Sequence, residues 1–345
     1  MRDFKRHLLR AAKCLGLFRL SRRLTRRSLR ILCYHGVWLD EARPNPFNFL
    51  YMRPQRFARR MQLLARSGHP VLGLDEALRR MRDGTLPPAA VVITIDDGWY
   101  GTYAHMVPEL QHHGFPATIY LTTHHAERGT SVFGVALQHV LQSAPLRALD
   151  WPLDASASRF DLDDVEQRAQ AHRTVSAHAE SLPDAEAREN LLRDVATALG
   201  YDWAGIVAMR QFRLMSLAEA ANCAERGIDF QLHTHRHRVS HGGSLCIAEE
   251  LQDNRARLSK VSQRAATHFC YPSGNWHRDH FAALQAAGVV SATTTDNGFC
   301  SATSEPLALP RILDGDRVSE IEFEAELNGV MEIKRRILRA LSLSR

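Results

Sequence analysis

Cysteine is scarce in this sequence and never paired closely. The six, Cys14, Cys33, Cys223, Cys246, Cys270 and Cys300, stand far apart, and no two are spaced as CxxC. In a chain of 345 residues with no secretion signal, an even count does not imply a disulfide framework, so buried reduced thiols are expected. Long apolar runs are missing too. Near the start the longest is Cys14 to Phe18, interrupted by Gly16, too short for a signal-peptide core or a membrane span. There is no internal repeat and no low-complexity stretch. What is present is a globular composition, 45% hydrophobic, enough to build one large α/β domain or two smaller ones.

The formal net charge of +6 is placed unevenly: residues 1–30 hold 11 of the 44 Lys and Arg and one of the 38 acids, a local +10. The remainder is therefore −4, which argues against a nucleic-acid-binding core. The segment Met1–Arg30 reads as a basic helix, with Phe4, Leu8, Ala12 and Leu15 near helical spacing. Such an arm suits an anionic membrane surface, and a cytoplasmic protein held peripherally on the inner face of a membrane through residues 1–28 is the expectation. The alternative is a solvated helix that caps the domain.

From Leu29 the pattern changes. Leu29 to Tyr34 is a short apolar run ending in His35-Gly36, read as a buried strand and turn. Amphipathic helices are predicted over Phe57–Ser67 and Asp75–Arg82, followed by a β-branched strand from Ala89 to Ile95 that stops at Asp96-Asp97-Gly98. A helix around Tyr103–His113 and a strand over Ala117–Leu121 continue a strand–helix alternation that argues for parallel βα units. Residues 124–215 break the rhythm, with helical spacing in Val165–His178 and Asp184–Leu199, and read as a helical insertion. Helix Ser216–Arg226, capped by Ser216 and stopped by Gly227, restores it, followed by strand Ile228–Leu232 and helix Ile247–Ala265. Strand Thr267–Tyr271, helix His280–Ala287, strand Val289–Thr294 and the run Leu307–Ile312 close the pattern. The chain thus divides into an arm, 1–28, and a domain, 29–345.

The useful regularity is positional. His35, Asp96, Asp97, His233 and Ser273-Gly274 each follow directly on a predicted strand. In parallel α/β architectures, polar groups at strand C-terminal ends converge on one face. Two adjacent carboxylates delivered by a buried strand repel one another and resist burial, and a cation beside them resolves both problems. The run His233-Thr234-His235-Arg236-His237 offers two imidazoles that could reach one metal if the chain turns after its strand. One carboxylate and two histidines with an open position form a known hydrolytic arrangement. Taken singly, an Asp-Asp-Gly turn and a surface histidine cluster are the bland alternatives. Together they are much harder to dismiss.

These residues resemble the motifs of the NodB-like polysaccharide deacetylases, carbohydrate esterase family 4. The first motif, T-[FI]-D-D-G, is similar to Thr94-Ile95-Asp96-Asp97-Gly98, and the second, H-[ST]-x-x-H, to His233–His237. Tyr271-Pro272-Ser273-Gly274 resembles a weaker third, Leu309–Ile312 the last, and Cys33–Val37 the opening strand of one branch of the family. The resemblance spans about residues 29–316 without the insertion.

What the resemblance implies is an irregular (β/α) barrel and a metal-dependent hydrolase that removes N-acetyl groups from an amino sugar in a polysaccharide or lipid-linked glycan. Asp97, His233 and His237 would hold a divalent metal, Zn2+ first, with Co2+, Ni2+ or Mn2+ as alternatives. Asp96 would be the general base on a water that the metal activates. A backbone N–H near Ser273, within Tyr271–Gly274, would hold the oxyanion. Arg311 would restrain Asp96 or contact substrate. A non-catalytic carbohydrate-binding protein that keeps the fold is the alternative.

Two departures from the pattern matter. Phe269-Cys270-Tyr271 lacks the Arg that commonly precedes the Pro of the third motif. The family's late histidine, its general acid, has no counterpart either, since 314–345 contains no histidine. His35 is expected to fill that role. It ends the first predicted strand, and the first and last strands of a closed barrel are neighbours. His124 and His125 also follow a strand and are its rivals, whereas His105, His112 and His113 sit on a predicted helix.

Overall fold

A computed structural model describes residues 2–41, 45, 47, 50–152, 158–239 and 244–343. Seven strands form a closed barrel: β1 (Arg30–Tyr34), β2 (Val91–Asp97), β3 (Thr118–Leu121), β4 (Asp229–Leu232), β5 (His268–Cys270), β6 (Ser291–Asn297) and β7 (Leu309–Leu313). Their order around the wall is β1-β7-β6-β5-β4-β3-β2, and the pairings are parallel throughout. The first and last strands close it, with Leu32 opposite Ile312, while the first strand's other edge pairs Arg30 with Val91 of β2. Parallel strands covered on both faces read as unbroken apolar runs, which is why every residue of β2 is buried, its two aspartates included.

Alternation along the strands sorts the side chains into two sets. Leu32, Ile93, Ile95, Ile119, Phe230 and Phe269 pack against the surrounding helices. Ile31, Val92, Tyr120, Cys270 and Leu309 form a second cluster with Leu74, Ala77 and Leu78 of helix Leu74–Arg82. Further along the same strands this inner row turns polar, and Arg311 on β7 bonds across to Thr94 on β2 at 3.2 Å. The row ends in the groups at the strand C-termini.

The region 124–215 is mostly helical, with helices such as Val165–Ser181 and Ala185–Ala198, but it also contains an antiparallel pair, Ala148–Trp151 with Ser158–Asp161. Those strands are short and partly exposed, so they carry little of the alternation that marks a strand in a sequence. Helix Ser244–Leu258 ends earlier than the spacing predicts. Ser216 caps its helix as expected, in a capping box with Glu219.

The N-terminal segment is two helices, α1 (Arg2–Cys14) and α2 (Leu17–Leu24), broken at Gly16 with φ 77°. They lie on the C-terminal helices α3 (Glu320–Leu327) and α4 (Val330–Leu343). Leu9 and Phe18 pack with Ile321 and Ala325, and Lys5 and Lys13 pair with Glu322 and Glu324 at 2.9 and 2.6 Å.

Candidate active site

Neighbouring residues on a regular strand face opposite sides, so Asp96 and Asp97 should diverge. Asp97 departs from the strand geometry: its φ is 69°, a left-handed conformation uncommon outside glycine. The departure re-aims its carboxylate, and both acids reach the same mouth of the barrel. Gly98 follows with φ 85°, and a Cβ there would collide with Leu121, so the last residue of the motif has to be glycine.

Asp96 is clamped. Both nitrogens of the Arg311 fork donate to its two oxygens at 2.7 Å, and the Cys270 and Cys33 thiols approach Oδ2 at 3.4 and 3.7 Å. Burial alone would raise the Asp96 pKa, but the Arg311 guanidinium outweighs it and holds the carboxyl at about 2. Arg311 is itself fully buried, with its fork turned to Asp96.

Asp97 Oδ1 lies 3.1 Å from His233 Nε2 and 3.2 Å from His237 Nε2, while the Trp99 indole donates to Oδ2 at 2.8 Å. Asn254 on helix Ser244–Leu258 accepts the His233 backbone N–H at 3.0 Å. His233 Nδ1 lies 2.8 Å from the Cys270 carbonyl. A carbonyl only accepts, so Nδ1 carries the proton, and a neutral His233 turns the lone pair of Nε2 toward Asp97. Two lone pairs 3.1 Å apart require a proton or a cation between them. With a proton there, burial pushes the His233 pKa down and Asp97 more than restores it. The same two imidazoles hold Asp97 well below the usual carboxylate range against the opposite pull of burial.

A divalent ion fits this arrangement. The donor atoms of Asp97, His233 and His237 lie within 4.8 Å of one another, and the set is that of zinc and its transition-metal neighbours. Two other groups meet the same spacing, Cys33 with His35 and Asp96, and Asp96 with His233 and Cys270. They suit an ion less. Arg311 already occupies both oxygens of Asp96, and burial pushes both thiols far above their ordinary range, away from the thiolate a metal requires. The loop after β4 is also bent to bring His237 back, with φ 60° at Thr234 and 56° at His237.

His35 stands at the same mouth. Its Nε2 is 3.7 Å from Asp96 Oδ2, its side chain is 21% exposed, and its buried Nδ1 has no hydrogen-bond partner among the described residues. His124 and His125 lie elsewhere, at the start of helix Thr123–Arg128, where the His124 N–H bonds to the His235 carbonyl at 2.9 Å. Tyr271 is buried, its hydroxyl donates to the Leu307 carbonyl at 2.9 Å, and its N–H points to the Thr293 carbonyl at 3.3 Å. Pro272 is buried and has no N–H. Ser273 and Gly274 turn the chain with φ 57° and 69°, and the Gly274 N–H bonds back to Tyr271.

With this geometry established, comparison with known proteins is decisive on family. A model described as polysaccharide deacetylase matches residues 83–201 and 207–292, more than half of the chain. The chain belongs to the polysaccharide deacetylase family. Membership places it among the carbohydrate de-N-acetylating hydrolases. Solved structures share the fold. The Streptococcus pyogenes deacetylase PplD, in complex with acetate, is 18% identical with a TM-score of 0.56, covering 88% of this chain and 97% of that one. IcaB from Ammonifex degensii is 16% identical, TM-score 0.53, covering 87% and 97%. BC0361, a polysaccharide deacetylase from Bacillus cereus, is 16% identical, TM-score 0.52, covering 87% and 69%. Among curated proteins none matches.

Within this polysaccharide deacetylase, several groups at the site carry no sequence signal of their own. Trp99 and Asn254 orient Asp97 and His233, yet each is one polar residue in an ordinary helix or turn. Cys33 and Cys270 do sit inside the motifs, in Cys33-Tyr34-His35-Gly36 and Cys270-Tyr271-Pro272, and strand alternation could have aimed both inward at Asp96. Both are free thiols, as are buried Cys223 and Cys300 and exposed Cys14, while the Cys246 side chain lies outside the described residues.

Proposed function

We propose that this protein hydrolyses the acetamide of an N-acetylated amino sugar, in a polysaccharide or a lipid-linked glycan, with Asp96 as base and His35 as acid. The observation that carries the reading is one mouth holding both a transition-metal donor set and a carboxylate–imidazole pair, Asp96 Oδ2 and His35 Nε2, 3.7 Å apart. Asp97, His233 and His237 would hold the ion, with Zn2+ preferred for this donor set and Co2+, Ni2+ or Mn2+ as substitutes. When bound, the ion supplies Lewis-acid chemistry, polarising the acetyl carbonyl and acidifying water.

The chain's own groups do the rest. The Arg311 clamp keeps Asp96 ionised and fixes the direction of its oxygens. As water adds to the acetyl carbon, Asp96 takes its proton. His35 gives a proton to the sugar nitrogen as the C–N bond breaks, releasing acetate and an amine. The short path from Asp96 to His35 lets the proton taken at one step resupply the acid for the next.

The test is acetate release from a panel of N-acetylated glycans, with and without chelator, by the parent and by Asp96→Asn. The variant should keep its metal and lose ~10²–10⁴-fold in turnover. Near-parental rates would remove Asp96 from the base role. Binding of the glycans without any acetate release would favour a carbohydrate-binding protein on the same fold.

A peripheral membrane contact belongs to the same proposal. No described helix is long and apolar enough to cross a bilayer. Phe4, Leu8, Leu17, Leu20 and Leu24 on α1 and α2, Leu15 at their joint, and Ile337, Leu338 and Leu341 on α4 are nevertheless all exposed. Arg10, Arg19 and Arg23 stand exposed beside them. Apolar side chains interleaved with cations suit an anionic bilayer face. The reading is therefore a cytoplasmic enzyme resting on the inner face of a membrane through residues 1–28 and α4.

A further inference from the structure

A cleft of about 690 Å³ opens beside the barrel mouth, between the insertion and the loop that carries His237. Arg128, Arg188, Arg236 and Arg238 line it together with His124 and His125. Burial, and then the neighbouring cations, push both imidazoles down to about 4, so they are neutral at pH 7. Against four guanidiniums the lining offers two carboxylates, Glu180 and Glu189, a formal +2.

Neither carboxylate neutralises the cleft. Glu189 is engaged in its own wall, accepting from the Ser131 N–H and hydroxyl at 3.2 and 3.0 Å and facing Arg213 at 3.5 Å. Glu180 meets Arg238 at 3.4 Å, but both side chains are 71% exposed, and such pairs contribute little. Arg236 is held by Glu250 at 2.7 Å and by Asp253 at 3.3 Å. Arg128 and Arg188 meet no carboxylate among the described residues. Arg128 donates to His124 Nε2 at 3.1 Å, and Arg188 to the Ala179 and Leu182 carbonyls at 2.9 and 3.4 Å. The Ser176 hydroxyl, which also lines the cleft, is buried without a partner among the described residues. Two guanidiniums, Arg128 and Arg188, thus face the cleft with no carboxylate against them among the described residues, beside one unpaired hydroxyl.

We propose that this cleft holds a diphosphate carried by the N-acetylated sugar. Guanidinium forks match phosphate oxygens in pairs, and a diphosphate diester brings about two negative charges to the two lining guanidiniums, Arg128 and Arg188, that meet no carboxylate among the described residues. The placement serves one substrate: Arg236 and Arg238 flank His237 in the chain, and the His124 N–H bonds to the His235 carbonyl, so cleft and metal ligands share one loop. The sugar half of the assignment rests on the deacetylase reading, whereas the anion half rests on the arginines. The diphosphate could belong to a nucleotide or to a polyprenyl lipid.

The experiment is calorimetric binding to the full chain, with chelator present so that phosphate held by a metal is not counted. The probes are a nucleotide diphosphate N-acetylhexosamine, a polyprenyl diphosphate N-acetylhexosamine in detergent, inorganic pyrophosphate and neutral chitotetraose. At least one phosphorylated sugar should bind about tenfold or more tighter than the tetraose, with pyrophosphate competing. Arg128→Ala and Arg188→Lys should each lose roughly tenfold for that sugar and nothing for the tetraose. The lysine keeps a charge near the helix end and removes the fork, and thermal melts show that the variant is folded. Tight binding of the nucleotide compound alone assigns a soluble substrate, and of the polyprenyl compound alone a bilayer one. Equal binding of the tetraose, parental affinity in both variants, or pyrophosphate binding that neither sugar displaces would each overturn the proposal. Acetate release after metal is restored reports separately: phosphorylated sugars held through the arginines but never deacetylated would sink the deacetylase reading and leave the cleft standing.

Discussion

The barrel mouth and the terminal helices depart from ordinary partitioning in opposite directions. At the mouth the chain buries charge, with Asp96 2% exposed and Arg311 not at all. On the terminal helices it exposes apolar surface, with Phe4 at 69% and Leu15 at 77%. Buried charge and exposed apolar clusters are both informative departures, but they persist for different reasons. In the mouth each charge meets an opposite charge or a donor within the chain, so the site is self-contained apart from the proposed ion. On the helices the apolar side chains stay largely exposed, and the proposed membrane face is what would cover them.

The sharpest way to break this comparison is to remove a ligand. His233→Ala should release the divalent ion under conditions that saturate the parent, because two remaining donors hold it poorly. Elemental analysis at parental stoichiometry would place the metal elsewhere and leave the Asp97–histidine contacts as plain ion pairs.

Next comes the clamp. Arg311→Ala leaves Asp96 buried without its cation and should cost about 3–5 kcal/mol, read from urea denaturation. The pH dependence follows from the same pair. A folded pKa of about 2 lies below the ordinary unfolded value near 4, so the pair's contribution is fully present above about pH 4 and is lost as pH falls through 2. Asp96→Asn should abolish that acid limb of stability. An unchanged limb would show that other carboxylates cause it.

His35→Ala tests the proton path. Metal and substrate should still bind while kcat falls by about 10²-fold. A variant with the parental kcat would send the role to His124 or His125, which lie in the arginine-lined cleft rather than on Asp96.

How much of this was legible in sequence follows from how local each signal is. The β-branched run into Asp96 and the alternation of strands and helices report the barrel directly, because burial on both faces dictates composition. The motif residues Asp96, Asp97, His233 and His237 gather at one mouth because strand ends converge. The left-handed Asp97 was not legible, since Asp is common at turns and only the contact with His233 and His237 shows why its strand geometry breaks. Nor was the fate of Tyr271, which the motif places at the site but whose hydroxyl the Leu307 carbonyl draws away. The N-terminal segment reads as one helix by its apolar spacing, and only Gly16 hints at the break that folds it onto α3 and α4.

The smallest expected effect on stability comes from the terminal helices, and adjacent residues there separate packing from docking. Leu9 is buried against Ile321 and Ala325, whereas Leu8 is 56% exposed one position away. Phe4, Leu8 and Leu15 recur at intervals of four and seven, so they share one face of α1 and its extension. Leu8→Glu with Leu15→Glu should therefore change unfolding free energy by no more than about 0.5 kcal/mol, as surface substitutions do. Leu9→Glu should cost several times more, because it places a carboxylate in a packed apolar contact. Co-sedimentation with anionic vesicles should show the reverse order. The double variant should lose binding by removing apolar insertion and cancelling two of the cations nearby, each worth about 1 kcal/mol at such a surface. The parent's binding should weaken at high salt and on zwitterionic vesicles. If the double variant co-sediments with anionic vesicles as well as the parent does, the exposed leucines are not a membrane face, and the contrast between the two regions loses its functional half.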